Sequence, residues 1–525
     1  MANEREYIVT LRDKDDATDF LTQMTATSAA VPTVPDRAVT VVDELPHSLR
    51  NTHYALTDEE AETLRNDPRV LAVELTPTER GFSKIHHAIT SNQIFQRDNT
   101  SIDNTMRNWG LARHSSHTNF SGNVLLEDYN YSFDGTGVDI VFIDSGIFPG
   151  HPEWSSTYDG TGPSRLQQVN WYDLTGIEGS QAPAGGYYMD VEGHGSNCAS
   201  LAAGSQHGFA KGAHIYSIRI FDGTVGGTYY GAISDTVAFD MVRVFHENKP
   251  VVNGIKRPTI CSNSWGYGIG YPTGSFTTTY RGVAHTQTGR NASYGQVYPN
   301  HGVRVPSVDA AVQDCVNAGV IMVGAAGNDY HKSDVSTGTD FNNKWNDGAG
   351  SGDIYYHQGG SPCNTDAGMI VVGALDATST EQKATFSTTG PGVDIYAAGV
   401  MTMGAWSNTS YVLSAVPDSR NPLFYLNKLS GSSMATPQVA GMLAVMAQVR
   451  PKYTPAQLKS WLMELSDKST MTEGGDSYTN YRSLQGGVQR VATIAKYANP
   501  NPVVITSNSP SYPIFNHGTN LVLRS

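Results

Sequence analysis

The pattern of apolar and polar positions divides the chain into stretches of different character. Over residues 6–76, EYIVTL (6–11) alternates with period two, and DATDFLTQM (16–24) carries apolar residues at helical spacing. RAVTVVDEL (37–45), THYALT (52–57) and VLAVELT (70–76) read as further strands. Thr57 and Glu60 form a capping box that opens a helix ending before Asp67-Pro68. The predicted order is strand, helix, strand, strand, helix, strand, a small α+β module over residues 1–77. From Pro77 to Asn108 the composition turns polar with scattered His and Arg, which predicts a linker over 78–108.

From Gly135 the signal changes to short, nearly continuous apolar runs: VDIVFID (138–144), IYSIRIF (215–221), TICSNSW (259–265), VIMVGAAGN (320–328) and MIVVGAL (369–375). Helical stretches near 194–204, 232–247, 307–319, 433–449 and 455–466 separate or follow them, the last opened by a second capping box at Thr454 and Gln457. Strands apolar on both faces that alternate with helices predict a doubly wound α/β domain with a mostly parallel sheet, over 109–498. Ligands bind such sheets at the carboxyl ends of the strands, where Asp144, Ser264 and Asn328 lie. Residues 499–525 read as a tail.

The 525 residues exceed one compact core, in agreement with this division. A net charge of -14 disfavours phosphate or anionic lipid as a partner, and no apolar run is long enough to span a bilayer. The expectation is no nucleic acid and no membrane. The start, MANEREYIVTLRDKDD, is charged where a secretory signal is apolar, so a soluble chain is expected, with its location, inside a cell or packaged in a particle, left open. Four cysteines without a CxxC pair predict buried free thiols.

Three residues carry the candidate chemistry. Ser433 stands where the glycine turn of LSGSSMATP (429–437) gives way to a helix, so that a backbone N–H and the helix dipole face whatever oxygen its Oγ attacks. Pro437 is expected in the first turn of that helix. His194 lies at another glycine-flanked helix start, EGHGSNCA (192–199), and Asp144 ends the strand VFID. Each alone could be a cap or a structural residue. Together they supply a nucleophile, a base titrating near neutrality and a carboxylate to orient it, the minimum set for acyl transfer.

The segments Ile143-Asp144-Ser145-Gly146-Ile147, His194-Gly195 and Gly431-Ser432-Ser433-Met434-Ala435-Thr436-Pro437 resemble the three signatures of the subtilases, in the subtilisin order Asp, His, Ser. Asn263-Ser264-Trp265-Gly266 and Ala325-Ala326-Gly327-Asn328 are similar to two further family features. The resemblance implies a serine endopeptidase working through an acyl-enzyme, with Ser433 as nucleophile, His194 as base and then acid, and Asp144 fixing the imidazole. It implies that Asn328 donates its amide to the oxyanion. Gly226, Gly227, Ser264, Trp265 and Gly266 would be extended backbone pairing with the substrate as an added strand. Ala325, Ala326 and Gly327 would line the pocket beside the scissile bond. The N-terminal module resembles, more loosely, the family's ferredoxin-like inhibitory propeptide, which implies a zymogen that cuts itself between Thr76 and Asn108. The expected partners are polypeptide substrates and the chain's own N-terminal module.

The chain departs from the family pattern at Ser196, Asn197 and Ser200, so packing around that helix is expected to differ. A calcium-binding loop that follows this helix in many subtilisins has no counterpart, since Ala203-Gly204 leads almost directly to Gly208. No cofactor is implied for catalysis. The oxygen-rich stretch 340–353 leaves a structural calcium open, without EF-hand spacing. Residues 267–305, 329–361 and 401–428 exceed the family core and leave the active edge of the sheet, where they could narrow the cleft, bind a partner or be decoration. Cys198, one helical turn after His194, is expected to pack beneath the imidazole. A protease-like scaffold kept for assembly, and an esterase or transpeptidase using the same residues, stay open as alternatives.

Overall fold

The computed structural model describes residues 4–26, 37–86, 108–117, 129, 131–181, 188–348, 352–363, 366–378, 380–407, 415–473 and 478–495. The tail 499–525 and most of the expected linker lie outside the described residues.

The N-terminal module has the predicted element order: β1 (Arg5–Leu11), α1 (Ala17–Thr25), β2 (Thr40–Asp43), β3 (Asn51–Leu56), α2 (Asp58–Leu64) and β4 (Val70–Leu75). Its strands pair antiparallel in the order β2-β3-β1-β4, the ferredoxin-like arrangement. Both halves of the capping box form, with Thr57 Oγ1 accepting the Glu60 N–H and Glu60 accepting the Thr57 N–H. Tyr7, Val9, Phe20, Met24, Tyr54 and Leu64 give the module a core of its own. The sequence then continues into β5 (Ser83–His86), which leaves the module for the main domain.

The main sheet has eight strands. In chain order they are β6 (Asp139–Asp144), β7 (His214–Arg219), β8 (Thr259–Asn263), β9 (Ile321–Ala325), β10 (Ile370–Leu375), β11 (Ile395–Ala398), β12 (Asp467–Lys468) and β13 (Arg490–Val491). Their spatial order is β12-β13-β11-β10-β9-β8-β6-β7, parallel except for the β12–β13 pair. Five strands match the predicted apolar runs, and β11 was not anticipated. Strand alternation explains the continuous apolar runs: Ile140 and Phe142 enter one core while Val141 and Ile143 enter the other. Helices α3 (His194–Ala203) and α6 (Ser432–Val449) cover the first face, and α4 (Asp235–Glu247) and α5 (Pro306–Ala318) the second. A further helix, α7 (Pro455–Leu465), carries the predicted Thr454–Gln457 capping box.

The chain runs from β6 outward to β7, then returns past β6 to β8 and proceeds the other way. This reversal is a topological switch point, and the carboxyl ends of β6 and β8 form its crevice. The amino end of α6 points into the same crevice. Small residues let α6 approach α3 closely, since a Cβ on Gly441 would lie 2.4 Å from the Ala202 carbonyl.

The module docks on α4 and α5. Arg50 bonds Asp314 at 3.1 Å and the Ala310 carbonyl at 2.8 Å, and Glu74 accepts the Ser307 N–H at 2.9 Å, filling one of the open donors at the start of α5.

The three long segments have definite places. In 267–305, Ser275–Tyr280 and Val283–Thr288 form a hairpin, and Lys344–Asn346 and Ile354–Tyr355 from 329–361 extend it to a four-stranded sheet. Within the stretch weighed for calcium, Asp340 is paired with Arg281 at 2.7 Å and Lys332 at 2.8 Å, and Asp353 with Lys344 at 2.6 Å. These carboxylates are thus met by the chain's own cations. The third segment folds as Thr402–Trp406, Val416–Asp418 and Asn421–Leu429 against α3. Here the departures at 197 and 200 find their use. Asn197 donates to the Ala405 and Asn427 carbonyls at 3.2 Å each, and Ser200 Oγ accepts the Ala405 N–H at 2.8 Å. No helix among the described residues is long and apolar enough to cross a membrane.

Candidate active site

Asp144, the last residue of β6, and His194, the first of α3, meet in the crevice, with Asp144 Oδ1 2.8 Å from His194 Nδ1. Burial pushes Asp144 up, but the charge and hydrogen bond of His194, the nearby His86 and the Ser145 N–H outweigh it and hold the carboxyl below its ordinary range. Burial pushes His194 down, and the Asp144 carboxylate more than reverses this, holding the imidazole well above its ordinary value. Gly195 makes the approach of α3 to β6 feasible. A Cβ there would lie 2.1 Å from the Gly146 carbonyl oxygen and 3.1 Å from Asp144 Oδ1.

A residue not singled out from sequence holds the two elements together. Asp190 is buried, and its Oδ1 accepts from Ser145 Oγ at 2.7 Å and from the Gly193 N–H at 2.8 Å. Its Oδ2 accepts from Ser196 Oγ at 2.6 Å and from the Ser196 N–H at 3.0 Å. One carboxylate therefore links the end of β6 to the start of α3, where negative charge also suits the helix dipole. Its only advance sign was an Asp shortly before a glycine-flanked helix start, a common enough pattern to pass unnoticed.

Ser433, in the first turn of α6, is fully buried, and its Oγ donates to the Ser264 carbonyl at 2.7 Å. Ser264 Oγ in turn donates to the Ser433 carbonyl at 3.0 Å. Among the described residues Ser433 makes no hydrogen bond to His194. Pro437 corrects the expectation of a first-turn proline, for it stands inside α6, in the second turn. Its missing N–H frees the Ser433 carbonyl four residues earlier, and Ser264 Oγ and the Cys198 thiol, at 3.4 Å, occupy that oxygen instead. Cys198 sits 3.8 Å from His194 Nδ1, and burial pushes its thiol up, so it is a neutral packing group beneath the ring. All four cysteines are free and buried.

Asn328 lies three residues past the end of β9. Its Oδ1 accepts from the Ser432 N–H at 2.9 Å and from Ser432 Oγ at 3.0 Å. Because that N–H can only donate, the amide orientation is fixed, and the NH2 group faces the other way. Its Nδ2 is shielded from solvent and has no hydrogen-bond partner in the described structure. Beside it, Ala326 and Gly327 line a small cavity with Tyr267, Asp329 and His331. Ala325 does not, being buried in β9.

Gly226 and Gly227 correct another expectation. They are the two-residue loop between Gly223–Val225 and Thr228–Tyr230, with φ of +56° and +84°. Such a turn needs left-handed backbone at both positions, so it is no extended strand. Trp265 and Gly266 do offer extended backbone, in the strand Trp265–Gly270, and its partner is β5. The antiparallel register sets Gly268 opposite Ser83, Tyr267 opposite Lys84, Gly266 opposite Ile85 and Trp265 opposite His86.

The pairing delivers His86 onto His194, with ring centroids 4.0 Å apart and planes within 8°. Phe221 packs against it at 3.9 Å, and Nδ1 lies 2.9 Å from Glu192 Oε2. His86, Asp144 and His194 are the group of possible metal ligands found among the described residues. Parallel stacked rings hold their lone pairs in separate planes, however, so both imidazoles could reach one ion only if a ring turned.

Residues 135–486, about two thirds of the chain, match the peptidase S8 subtilase family. The chain belongs to the subtilase family. It is in class a subtilisin-type serine peptidase, and peptidases of this kind act on polypeptides. This subtilase is 25% identical over 433 residues to an extracellular serine proteinase of Thermus sp. (strain Rt41A), covering 82% of this chain and 73% of the relative. A subtilisin-like serine protease of Cochliobolus lunatus is 25% identical over 440 residues, covering 82% of this chain and 66% of that one. In fold the subtilase is similar to fervidolysin from Fervidobacterium pennivorans, a keratinolytic enzyme related to subtilisin, with TM-score 0.51 and 17% identity over 95% of this chain and 62% of that one.

Proposed function

We propose that this subtilase is an endopeptidase that hydrolyses peptide bonds through an acyl-enzyme and is made as a self-processing zymogen. In this reading Ser433 is the nucleophile, His194 takes its proton and later returns it to the leaving amine, and Asp144 fixes the imidazole in the tautomer that leaves Nε2 free to accept. The unpartnered Nδ2 of Asn328 donates to the oxyanion. Ser264, Trp265 and Gly266 hold the substrate as an added strand, and Ala326 and Gly327 border its side-chain pocket. The module 1–77 and the stretch after it act as an inhibitor in cis.

The observation that carries the zymogen reading is the seating of β5 along Trp265–Gly270 with His86 on His194. Residue 87 lies outside the described residues; in the proposed complex a substrate strand continuing past His86 reaches Ser264, whose carbonyl accepts the Ser433 hydroxyl. A backbone N–H arriving there takes over the carbonyl and frees Oγ to turn toward His194. The cut proposed on this basis is the His87–Ala88 bond, inside the expected window from Thr76 to Asn108.

The test compares purified wild-type protein with Ser433→Ala by intact mass and N-terminal sequencing, with a fluorophosphonate label as the readout of the nucleophile. The wild type is expected to acquire an N-terminus at Ala88 and to label at Ser433, while the variant stays full length. An active wild type that is never cut would refute the zymogen, and an unlabelled, inactive one would refute the endopeptidase.

A further inference from the structure

The ring of His86 occupies a compartment that the proposed chemistry does not itself require. One face lies on His194, Phe221 closes in at 55°, and the Nδ1 edge meets Glu192 at 2.9 Å. Upstream, Lys84 Nζ bonds the Ile220 carbonyl at 3.1 Å, which anchors the strand ahead of this position. A flat ring fits between the two aromatic groups, and only a ring with an N–H at its edge also satisfies the carboxylate. Phenylalanine would fill the space and leave Glu192 unpaired. Alanine would lose the stacking as well. An acidic side chain would face both Glu192 and Asp144.

We infer that Glu192 and Phe221 form a subsite selecting histidine at the second residue before the scissile bond, in substrates cut in trans as well as in the chain's own segment. This rests on the endopeptidase reading, with its cut after His87, and on the register that sets His86 opposite Trp265. Glu192 enters through contact with the substrate side chain, as a specificity-determining residue. Its carboxylate is half exposed, at 52%, so water competes for it, and the expected selectivity is about ten-fold rather than the larger factor of a buried charged hydrogen bond.

The test uses full-length enzyme after its own processing, and fluorogenic peptides built on Lys-Ile-X-His-Ala-Ile, the chain's sequence from 84 to 89 with X as His, Phe, Ala or Asp. At one pH, kcat/KM should be about ten-fold higher for X = His than for Phe, higher for Phe than for Ala, and lowest for Asp. Glu192→Gln should reduce the His-to-Phe ratio to about two. Equal turnover of the His and Ala peptides, an undiminished His-to-Phe ratio in Glu192→Gln, or Ser433 labelling without cleavage of the His peptide would overturn the subsite. If Glu192→Gln does not fold, the wild-type ratios decide alone. Failure of both cleavage and fluorophosphonate labelling would instead overturn the endopeptidase reading.

Discussion

Asn328→Leu separates the oxyanion donation proposed for this residue from its structural duties, because the two halves of the amide do different things. The carbonyl half accepts from the Ser432 N–H at 2.9 Å and from Ser432 Oγ at 3.0 Å, and losing it leaves a buried backbone donor unpaired, at about 1–3 kcal/mol. The NH2 half has no partner, so deleting it removes a buried, unsatisfied donor whose cost is of the same order. The two changes oppose each other, and the melting temperature is expected to move by only a few degrees. In the transition state the balance is different. The donor is then engaged with the new negative charge, and its loss should cost about 3 kcal/mol, or roughly a hundred-fold or more in kcat with KM little changed. That magnitude is the one known for the oxyanion-hole amide of subtilisin. The assay is steady-state kinetics on a cleaved peptide, normalised to fluorophosphonate-labelled sites, with thermal unfolding alongside. A loss confined to KM, or a fall in kcat matched by a fall in labelled sites, would refute the assignment.

In the proposed mechanism His194 must be neutral to accept the serine proton, and the Asp144 carboxylate holds it well above its ordinary value, so kcat/KM should rise with pH through an apparent pKa above the ~6.5 of free histidine and be lost as the pH falls through it. A profile with its acid limb below that value would contradict the buried pairing. Gly195→Ala should abolish processing and lower the melting temperature, since its Cβ meets the Gly146 carbonyl oxygen at 2.1 Å and backbone must move. Wild-type processing and stability in this variant would show that the approach of α3 to β6 is looser than described.

Much of the framework was legible because it is encoded locally. Strand alternation, helix spacing and the Thr57 and Thr454 capping boxes need only neighbours within a few residues, and both boxes form as read. The site segments around Asp144, His194 and Ser433 were legible for a related reason. Each combines a reactive side chain with the glycines and helix start that position it. Where a local reading failed, a local feature had two outcomes. Gly226-Gly227 suits an extended approach to a substrate as well as a hairpin turn, and Pro437 suits a first turn as well as a helix interior that can spare one carbonyl. β11 was missed because IYAA is too short to stand out from its flanks.

The sequence by itself determined the doubly wound sheet and the glycine-flanked segments that carry Asp144, His194 and Ser433. Tertiary structure alone decided which distant groups serve them. Asp190 joins β6 to α3, the Ser433 carbonyl freed by Pro437 is taken by Ser264 and Cys198, and Asn197 and Ser200 receive the third inserted segment. His86 reached His194 from a stretch that read only as polar linker. Periodicity and capping report which face of an element is buried and where it ends. A contact between a strand end and a side chain tens of residues away depends on strand order and register, which are set when the sheet assembles.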